Sequence, residues 1–173
     1  MKNIFIYLLM GVTFMGCVEQ NNQVTNNDEK SEIIRVLTKS YVDGKMNGDY
    51  VAEDCNITFN NQKLTREQWM QLAEFHQQLF KDIKFSDGWI QTVSYEGENW
   101  GWGNGTTWSN QWNQWSATSK ISGETQTNQS HWGFQWEDGK IIRLAGYFSD
   151  EWYNKEVTMF LFSQAPDSEI PDY

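Results

Sequence analysis

The first patterned segment of the chain has apolar residues at helical spacing. These residues are Ile33, Ile34, Leu37 and Tyr41. The spacing predicts an amphipathic helix over residues 32–46, which Gly48 and Asp49 end. A short turn of helix or a loop follows. The apolar and β-branched run 57–59 then predicts a brief strand.

A second helix is signalled by its first turn. Thr65 and Gln68 form a capping box, in which the hydroxyl and the amide each bond a free backbone N–H group. The residues behind this box fall on one stripe, so the helix should face the core. The stripe comprises Trp69, Leu72, Ala73, His76, Leu79, Phe80 and Ile83.

The rest of the chain alternates as strands do. Long strands are predicted over residues 89–95, 100–115, 120–136 and 140–150, separated by four turn dipeptides that end in glycine. Helices followed by a run of strands indicate an α+β fold. We expect three N-terminal helices packed on a strongly curved antiparallel sheet.

The hairpin around Asp138 and Gly139 allows two registers. A two-residue loop places the aromatic residues of the first strand on the same face as Arg143 and Tyr147. A three-residue loop pairs Phe134 with Ile142 and separates apolar from polar positions. One face then contains Trp132, Phe134, Trp136, Ile142, Leu144, Gly146 and Phe148. Because a half-buried sheet favours that separation, we expect the three-residue loop, with His131 on the polar face.

Five tryptophans lie among uncharged residues in the run 100–115. Trp100 and Trp102 differ by two positions, so both are expected to face the interior as core or pocket wall. Trp108 and Trp112 share one face of the strand and Trp115 takes the other. One or two of these three are expected to be exposed, for which a subunit interface, plain packing and ligand stacking remain open.

Composition narrows the classes of function. The chain has 173 residues, enough for one domain, and aromatic residues make up 16% of them. Its formal net charge of −10 argues against nucleic-acid binding, which needs a cationic surface. The two histidines and two cysteines show no compact ligand spacing, so neither a metal nor another cofactor is expected.

The N-terminus resembles an export signal. Lys2 precedes a short apolar run, and the junction of Gly16 with Cys17 resembles the lipobox of bacterial lipoproteins. We therefore expect a signal peptide over residues 1–16, lipid attachment at Cys17 and a solvated tether over residues 17–31. The protein would then lie in the bacterial cell envelope, anchored to a membrane. Cys55 would remain as a small buried apolar residue.

Four segments resemble the NTF2-like superfamily and, within it, the SnoaL-like branch. They are "YVDGKMNGDYVAEDCNITF", "LTREQWMQLAEFHQQLF", "ISG" at 121–123 and "SHWGFQWEDGKIIRLAGYFSD". The resemblance covers residues 32–155 and leaves residues 156–173 as an extension with a loose acidic tail. It implies a cone-shaped sheet with a pocket at its wide end. Members include cyclases, isomerases, hydrolases and binding modules without catalytic activity.

Catalytic members of the superfamily place a carboxylate inside the cone to move a proton. In one branch this is an aspartate just before the Tyr-Phe pair of the last strand, where this chain has Gly146. Asp150 lies on the same face but nearer the end of the strand. His76 is the remaining candidate, and a single histidine without an orienting carboxylate is a poor catalyst. No catalytic residue is therefore predicted.

The predicted pocket is a ligand-binding site. Its residues are His76, Trp100, Trp102, Trp132, Phe134, Leu144 and Phe148. The leading interpretation is an envelope protein that binds a small hydrophobic ligand or a protein partner without catalysis. The alternatives are a SnoaL-like enzyme that uses acid–base chemistry on a hydrophobic cyclic substrate and a carbohydrate-binding module with exposed tryptophans. A homodimer through the sheet is also expected.

The lipid anchor can be tested by cell fractionation. Replacing Cys17 by serine removes the thiol that would be acylated, so the Cys17→Ser protein should appear in the soluble fraction. Cys55→Ser is the matched control and should stay with the membrane. Unchanged membrane association of Cys17→Ser would exclude the anchor.

Overall fold

The computed structural model describes residues 23–86, 88–96 and 105–164. This part of the chain forms three helices and eight strands, and the third helix follows the last strand. In chain order they are β1 Gln23–Thr25, α1 Glu29–Val42, β2 Val51–Phe59, β3 Gln62–Leu64, α2 Arg66–Leu79, β4 Phe80–Phe85, β5 Trp89–Ser94, β6 Thr107–Ser119, β7 Thr125–Glu137, β8 Lys140–Phe148 and α3 Glu151–Gln164.

All eight strands form one sheet in the order β1-β5-β6-β7-β8-β2-β3, with β4 paired to β6 beyond the end of β5. The α+β class is confirmed. The sheet is antiparallel except where β2 runs parallel to β8. A parallel pair needs a crossover connection, and the whole segment from α2 to β7 supplies it.

The prediction of three N-terminal helices is wrong. Within the described residues only α1 and α2 precede the long strands, and the third helix, α3, follows β8. Residues 43–50 contain turns and no helix. The capping box of Thr65 and Gln68 is confirmed at the start of α2. That helix ends at Leu79, earlier than the stripe predicted, because Phe80 begins a strand that pairs with β6.

Beyond its turn the β7–β8 hairpin has the predicted faces, but its loop and the predicted pairing of Phe134 with Ile142 are wrong. Ile141, fully buried opposite Trp136, takes the inner position predicted for Ile142. Glu137 pairs with Lys140, so the loop has two residues, and Asp138 and Gly139 both have positive φ, as in a type I′ turn. A register shift then follows, which leaves Ile142 unpaired as a bulge. Beyond it, Phe134 pairs with Leu144. The bulge restores the separation of faces that the three-residue loop was expected to give.

Two apolar clusters fill the space between the helices and one face of the sheet. The larger contains residues of α1, α2 and the strands β2, β5, β7 and β8, with Ile34, Ile57, Trp69, Phe134 and Leu144 among its buried members. The smaller joins the end of α2, β4, β6 and α3. Rings supply much of the volume in both clusters, as the composition indicated.

The folded domain extends beyond residues 32–155, the range that the resemblance predicts, at both ends. β1 lies within the segment expected to be a tether and pairs with β5. α3 continues past residue 155 to Gln164 and packs Trp152 into the smaller cluster.

Cys55 is free and buried, as expected. The signal peptide and Cys17 lie outside the described residues. No helix of the described ranges is long and apolar enough to cross a bilayer.

The alternation of the tryptophans in β6 is confirmed. Trp112 is exposed, Trp108 is buried on the same face of the sheet, and Trp115 lies on the opposite face toward the helices. Trp100 and Trp102 lie outside the described residues.

The hairpin register predicts a large difference between its two faces. Phe134 is 5% exposed, so Phe134→Ala should lower the free energy of unfolding by roughly 3–5 kcal/mol, through lost burial and a residual cavity. Tyr147 is 54% exposed on the other face, and Tyr147→Ala should cost about 1 kcal/mol or less. Urea denaturation of both variants measures the difference. Equal losses would contradict the register.

Candidate functional site

A cavity of about 120 Å³ lies between the helices and the inner face of the sheet. Half of its lining residues are aromatic, and a few others carry hydroxyl or amide groups. The lining residues are Leu37, Thr38, Tyr41, Met46, Phe59, Trp69, Leu72, Phe85, Gln111, Trp115, Asn128, Ser130, Trp132, Phe134, Leu144, Phe148, Ser149 and Tyr153. A dry cavity of similar size in another protein holds a benzene ring, so this one suits a small molecule.

Four of the predicted pocket residues meet at this cavity. Trp132 and Phe134 come from β7, and Leu144 and Phe148 come from β8. The rings of Trp132 and Phe148 stack with their centroids 5.7 Å apart, and Phe59 from β2 stands across Trp132 at 5.1 Å. The sheet register brings them together, since alternate positions on neighbouring strands share a face. Their contact with a ligand remains a prediction.

His76 is not part of the cavity wall but lies directly behind it. Its Nδ1 atom is 2.6 Å from the hydroxyl of Tyr41 on α1, and its Nε2 atom is 2.9 Å from the hydroxyl of Tyr153 on α3. The indole Nε1–H of Trp115 donates to the Tyr41 hydroxyl at 3.1 Å. Tyr41, Tyr153 and Trp115 all line the cavity. We call these four residues the tyrosine–histidine chain.

Every titratable member of the tyrosine–histidine chain is uncharged at neutral pH. Burial lowers the pKa of His76 from 6.5 to about 4. Burial raises the pKa of Tyr153 to about 12, and it raises the pKa of Tyr41 further above its usual range, against the opposing hydrogen bond from Trp115. Desolvation disfavours the charged form in each case. The site therefore works with neutral hydroxyl and imidazole groups.

The tyrosine–histidine chain has one polar hydrogen more than its internal hydrogen bonds use. Trp115, Tyr41, neutral His76 and Tyr153 carry one each, whereas three hydrogen bonds join the four side chains. If His76 is protonated at Nε2, the spare hydrogen belongs to Tyr153; if at Nδ1, it belongs to Tyr41. In either tautomer one tyrosine hydroxyl has a hydrogen that these three bonds do not use, and both tyrosines are lining residues of the cavity.

Neither Asp150 nor the carboxylate nearest to His76 along α2 bonds the imidazole. Asp150 accepts a hydrogen bond from the amide of Asn60 at 3.0 Å, and Glu74, two positions before His76, is exposed. Of the described residues that line the cavity, none is an aspartate, glutamate, lysine or arginine. Within the same ranges no group of three potential metal ligands occurs.

Trp132 explains why the last strand has glycine at position 146. The indole ring lies across Gly146, and a Cβ atom added there would overlap the ring carbons. Trp132 Nε1 donates to Ser130 at 3.0 Å, which fixes the ring in this position. The ring therefore excludes any side chain at the position where the resemblance places a catalytic aspartate.

Helix α3 positions Tyr153 through a buried carboxylate. Glu156, which is 1% exposed, accepts hydrogen bonds from the hydroxyls of Ser119 and Ser122 at the β6–β7 turn. Trp152 stacks on Phe80 with ring centroids 5.3 Å apart. These contacts hold the first turn of α3 against the sheet, with Tyr153 beside His76.

The sequence did not mark Tyr41, Trp115 or Tyr153 as site residues. The sequence pattern predicts a strand to residue 150 and a loose tail beyond residue 155, and it assigns no helix to Tyr153. A signal was available, because Tyr153, Val157 and Phe160 recur at helical spacing. For Tyr41 and Trp115 the sequence predicted only inward-facing positions, since the bonds they make depend on three-dimensional contacts.

The outer face of the sheet carries a separate row of rings. Trp89, Trp112, His131 and Tyr147 are paired across β5, β6, β7 and β8. Their successive centroids are 4.8, 4.9 and 6.2 Å apart, with interplanar angles of 16–23°. The ring faces therefore cover one another. Because only edges face outward along most of the row, it is not the flat strip of exposed ring faces that sugar stacking needs.

Comparison with known proteins gives the fold. No family model matches the chain, and no curated protein sequence matches it. A protein from Catenulispora acidiphila with a ketosteroid isomerase-like fold, solved in complex with trimethylamine, matches with a TM-score of 0.52, 12% identity, and coverage of 81% of this chain and 98% of that one.

Two more solved structures are similar. AclR, a proposed hydroxylase from Streptomyces galilaeus, gives a TM-score of 0.55 and 12% identity over 80% of this chain and 98% of its own. A proposed isomerase from Bacillus subtilis gives 0.54 and 11% identity over 74% and 91%. The chain thus has the NTF2-like, ketosteroid isomerase-like fold that the sequence resemblance predicted.

The lowered pKa of His76 predicts a pH-dependent stability. Between pH 6.5 and about 4 the unfolded chain binds a proton at His76 that the folded chain does not, so stability should fall by about 3 kcal/mol as the pH drops through this range. In urea denaturation at a series of pH values, His76→Gln should show a smaller loss of unfolding free energy between pH 6.5 and about 4. His131→Gln, on the outer face, is the matched control and should keep most of it.

Proposed function

We propose that this protein binds a small, uncharged, apolar molecule that carries one hydrogen-bond acceptor, such as a carbonyl oxygen. The observation that carries the proposal is that the tyrosine–histidine chain has one hydroxyl hydrogen its own bonds do not use, on one of two tyrosines that line an aromatic cavity. An unpaired donor in an apolar site favours ligands that satisfy it. The rings supply the remaining affinity through burial and packing.

The uncharged lining sets the class of ligand. The cavity has no described lysine or arginine to neutralise an anion, and burial keeps its tyrosines and the histidine behind them uncharged. Burial of an unpaired charge is costly. Neutral ligands are therefore preferred. In this proposal the sheet curves around the cavity as the resemblance implies, with the ligand at the wide end.

The solved structures support two candidate functions, small-molecule binding and enzymatic activity. The Catenulispora acidiphila protein holds a small organic molecule, trimethylamine, which favours small-molecule binding by this fold. The names of the Streptomyces and Bacillus proteins include a hydroxylase and an isomerase, which favours the second candidate function, an enzyme acting on a hydrophobic cyclic substrate. The absence of a cavity carboxylate among the described residues favours binding. Carbohydrate binding has the least support, because the outer rings stack on one another.

The proposal has two further parts, a membrane anchor and a dimer. The protein is anchored through a lipid at Cys17 in the bacterial envelope, and it pairs with a second copy through the outer sheet face. β1 begins at Gln23, so residues 18–22 could hold the sheet edge no more than about 20 Å from the anchor. The row from Trp89 to Tyr147 supplies exposed apolar edges for the dimer contact.

The binding function is tested with a matched pair of ligands. Cyclohexanone and methylenecyclohexane have similar shapes, but only the ketone accepts a hydrogen bond. Both should quench or shift the tryptophan fluorescence of the protein, because Trp115 and Trp132 line the cavity. Tyr153→Phe should weaken cyclohexanone binding roughly threefold to tenfold, the value of one hydrogen bond, and should leave the hydrocarbon unaffected.

The control is Tyr147→Phe, which removes a hydroxyl on the outer face and should change neither affinity. Failure of both ligands to bind the wild type at millimolar concentration would exclude the proposed function. Equal weakening of both ligands by Tyr153→Phe would show that the ring packs but the hydroxyl does not bind the acceptor.

A further inference from the structure

We propose that the ligand of the cavity carries a hydroxyl group in addition to its carbonyl oxygen, and that Gln111 and Thr38 bind this hydroxyl. The inference rests on the proposed binding of a small uncharged molecule in the cavity. It narrows that class of ligand to hydroxylated carbonyl compounds. It concerns recognition alone and involves no reaction of the ligand.

Gln111 is a polar residue in an apolar part of the sheet. It occupies an inward position of β6, where its partners on the neighbouring strands are Ile90 of β5 and Trp132 of β7. Gln111 is 4% exposed and lines the cavity. Glutamine is mostly found at protein surfaces, and burial of an amide costs free energy unless its hydrogen bonds are made. A buried amide at this position therefore needs an explanation.

The hydrogen bonds of the Gln111 amide are incomplete. Its Nε2 atom donates to the hydroxyl oxygen of Thr38 on α1 at 3.3 Å. Its Oε1 atom can accept two hydrogen bonds and accepts none from the described residues. This oxygen is not one of the unpaired polar atoms that the surrounding protein encloses, so it keeps surface that a ligand in the cavity can reach.

Thr38 supplies the complementary group. It also lines the cavity, and its hydroxyl hydrogen has no acceptor among the described residues. The two side chains thus present an unused acceptor and an unused donor next to each other, and we call them the Gln111–Thr38 pair. If the amide is turned over, the two side chains exchange roles, and the pair still offers one donor and one acceptor.

A hydroxyl group is the simplest partner for the Gln111–Thr38 pair. It has one hydrogen to donate and lone pairs to accept, so a single ligand hydroxyl can donate to Gln111 and accept from Thr38. A carbonyl oxygen could use only the donor, and an alkyl group could use neither. Since none of the described lining residues carries a charge, a neutral hydroxyl is preferred to a carboxylate or an ammonium group.

The Gln111–Thr38 pair lies beside the tyrosine–histidine chain. Thr38 and Tyr41 are three residues apart on α1, so their Cβ atoms are roughly 5–6 Å apart on one face of the helix. Gln111 and Trp115 are both inward residues of β6 that line the cavity. A six-membered ring with a carbonyl and a hydroxyl on opposite carbons is therefore a suitable probe, because it holds the two groups one ring width apart.

The experiment compares the affinities of three ketones, measured by tryptophan fluorescence. 4-Hydroxycyclohexanone and 4-methylcyclohexanone have similar shapes and differ in the hydroxyl group, and cyclohexanone is their parent. The hydroxyl preference is the dissociation constant of the methyl compound divided by that of the hydroxy compound. In the wild-type protein this ratio should exceed one, although the methyl group is the more apolar of the two.

Gln111→Met removes the amide and keeps the length of the side chain. It should lower the hydroxyl preference at least about tenfold, because the ligand hydroxyl loses its acceptor inside an apolar site. Thr38→Val removes the hydroxyl and keeps the shape of the side chain. It should lower the preference roughly threefold to tenfold, and it tests the pair even if Gln111→Met does not fold. Gln91→Met, on the outer face of β5, is the matched control and should leave the preference unchanged.

Thermal unfolding without ligand separates recognition from structure. Gln111→Met should unfold at a temperature no lower than the wild type, since an apolar side chain replaces a buried amide whose acceptor is unused. A lower unfolding temperature together with an unchanged hydroxyl preference would show that the amide serves the fold, which overturns the proposal.

The binding results distinguish this proposal from the proposed function. A wild-type hydroxyl preference of one or less, or the same preference in the wild type and Gln111→Met, would overturn the hydroxyl site. The binding function would stand in that case if cyclohexanone and its methyl derivative still bind. Binding of none of the three ketones by the wild type would overturn both proposals.

Discussion

The need to satisfy both nitrogens of the His76 imidazole organises the helical layer. His76 belongs to α2, its Nδ1 partner Tyr41 to α1 and its Nε2 partner Tyr153 to α3. In apolar surroundings an unpaired ring nitrogen is costly, so all three helices must keep their mutual positions for the imidazole to remain bonded. The His76 ring thus fixes the two tyrosines that line the helical side of the cavity. Glu156 holds α3 in place through its hydrogen bonds with Ser119 and Ser122.

The polar residues between the tryptophans have a structural explanation. Ser109 accepts the indole hydrogen of Trp136 at 2.9 Å, and Ser130 accepts that of Trp132. Buried indole groups favour such partners, so these two inward serines satisfy the donors of Trp132 and Trp136. The polar character of residues 107–115 thus reflects hydrogen bonding inside the sheet, by Ser109, Gln111 and Asn113, as well as exposure outside it.

Sequence patterns predicted the parts of the fold that depend on residues close together in the sequence. The capping box of Thr65 and the two faces of the β7–β8 hairpin could be read from spacing alone. The loop could not, because a three-residue loop and a two-residue loop followed by a bulge give the same alternation beyond the turn.

The limits of the α2 and α3 predictions have a similar origin. The stripe through Leu79 and Phe80 continues a helical period, yet pairing with β6 takes Phe80–Phe85 into a strand, with Asp82 at positive φ where the register shifts. Tertiary pairing overrides local periodicity there. The cavity residues of β7 and β8 followed from strand alternation. The tyrosine–histidine chain did not, because it joins side chains from three helices and a strand that are distant in sequence.

The contact between Trp132 and Gly146 restricts how this chain can change. Substituting an aspartate for Gly146 alone would force its side chain into the indole ring, and truncating Trp132 alone would leave an empty space beside a glycine. Either single step is destabilising, whereas the two together exchange a ring for a carboxylate. Positions 132 and 146 are therefore coupled through direct contact, and the effects of substitutions at the two positions should not add.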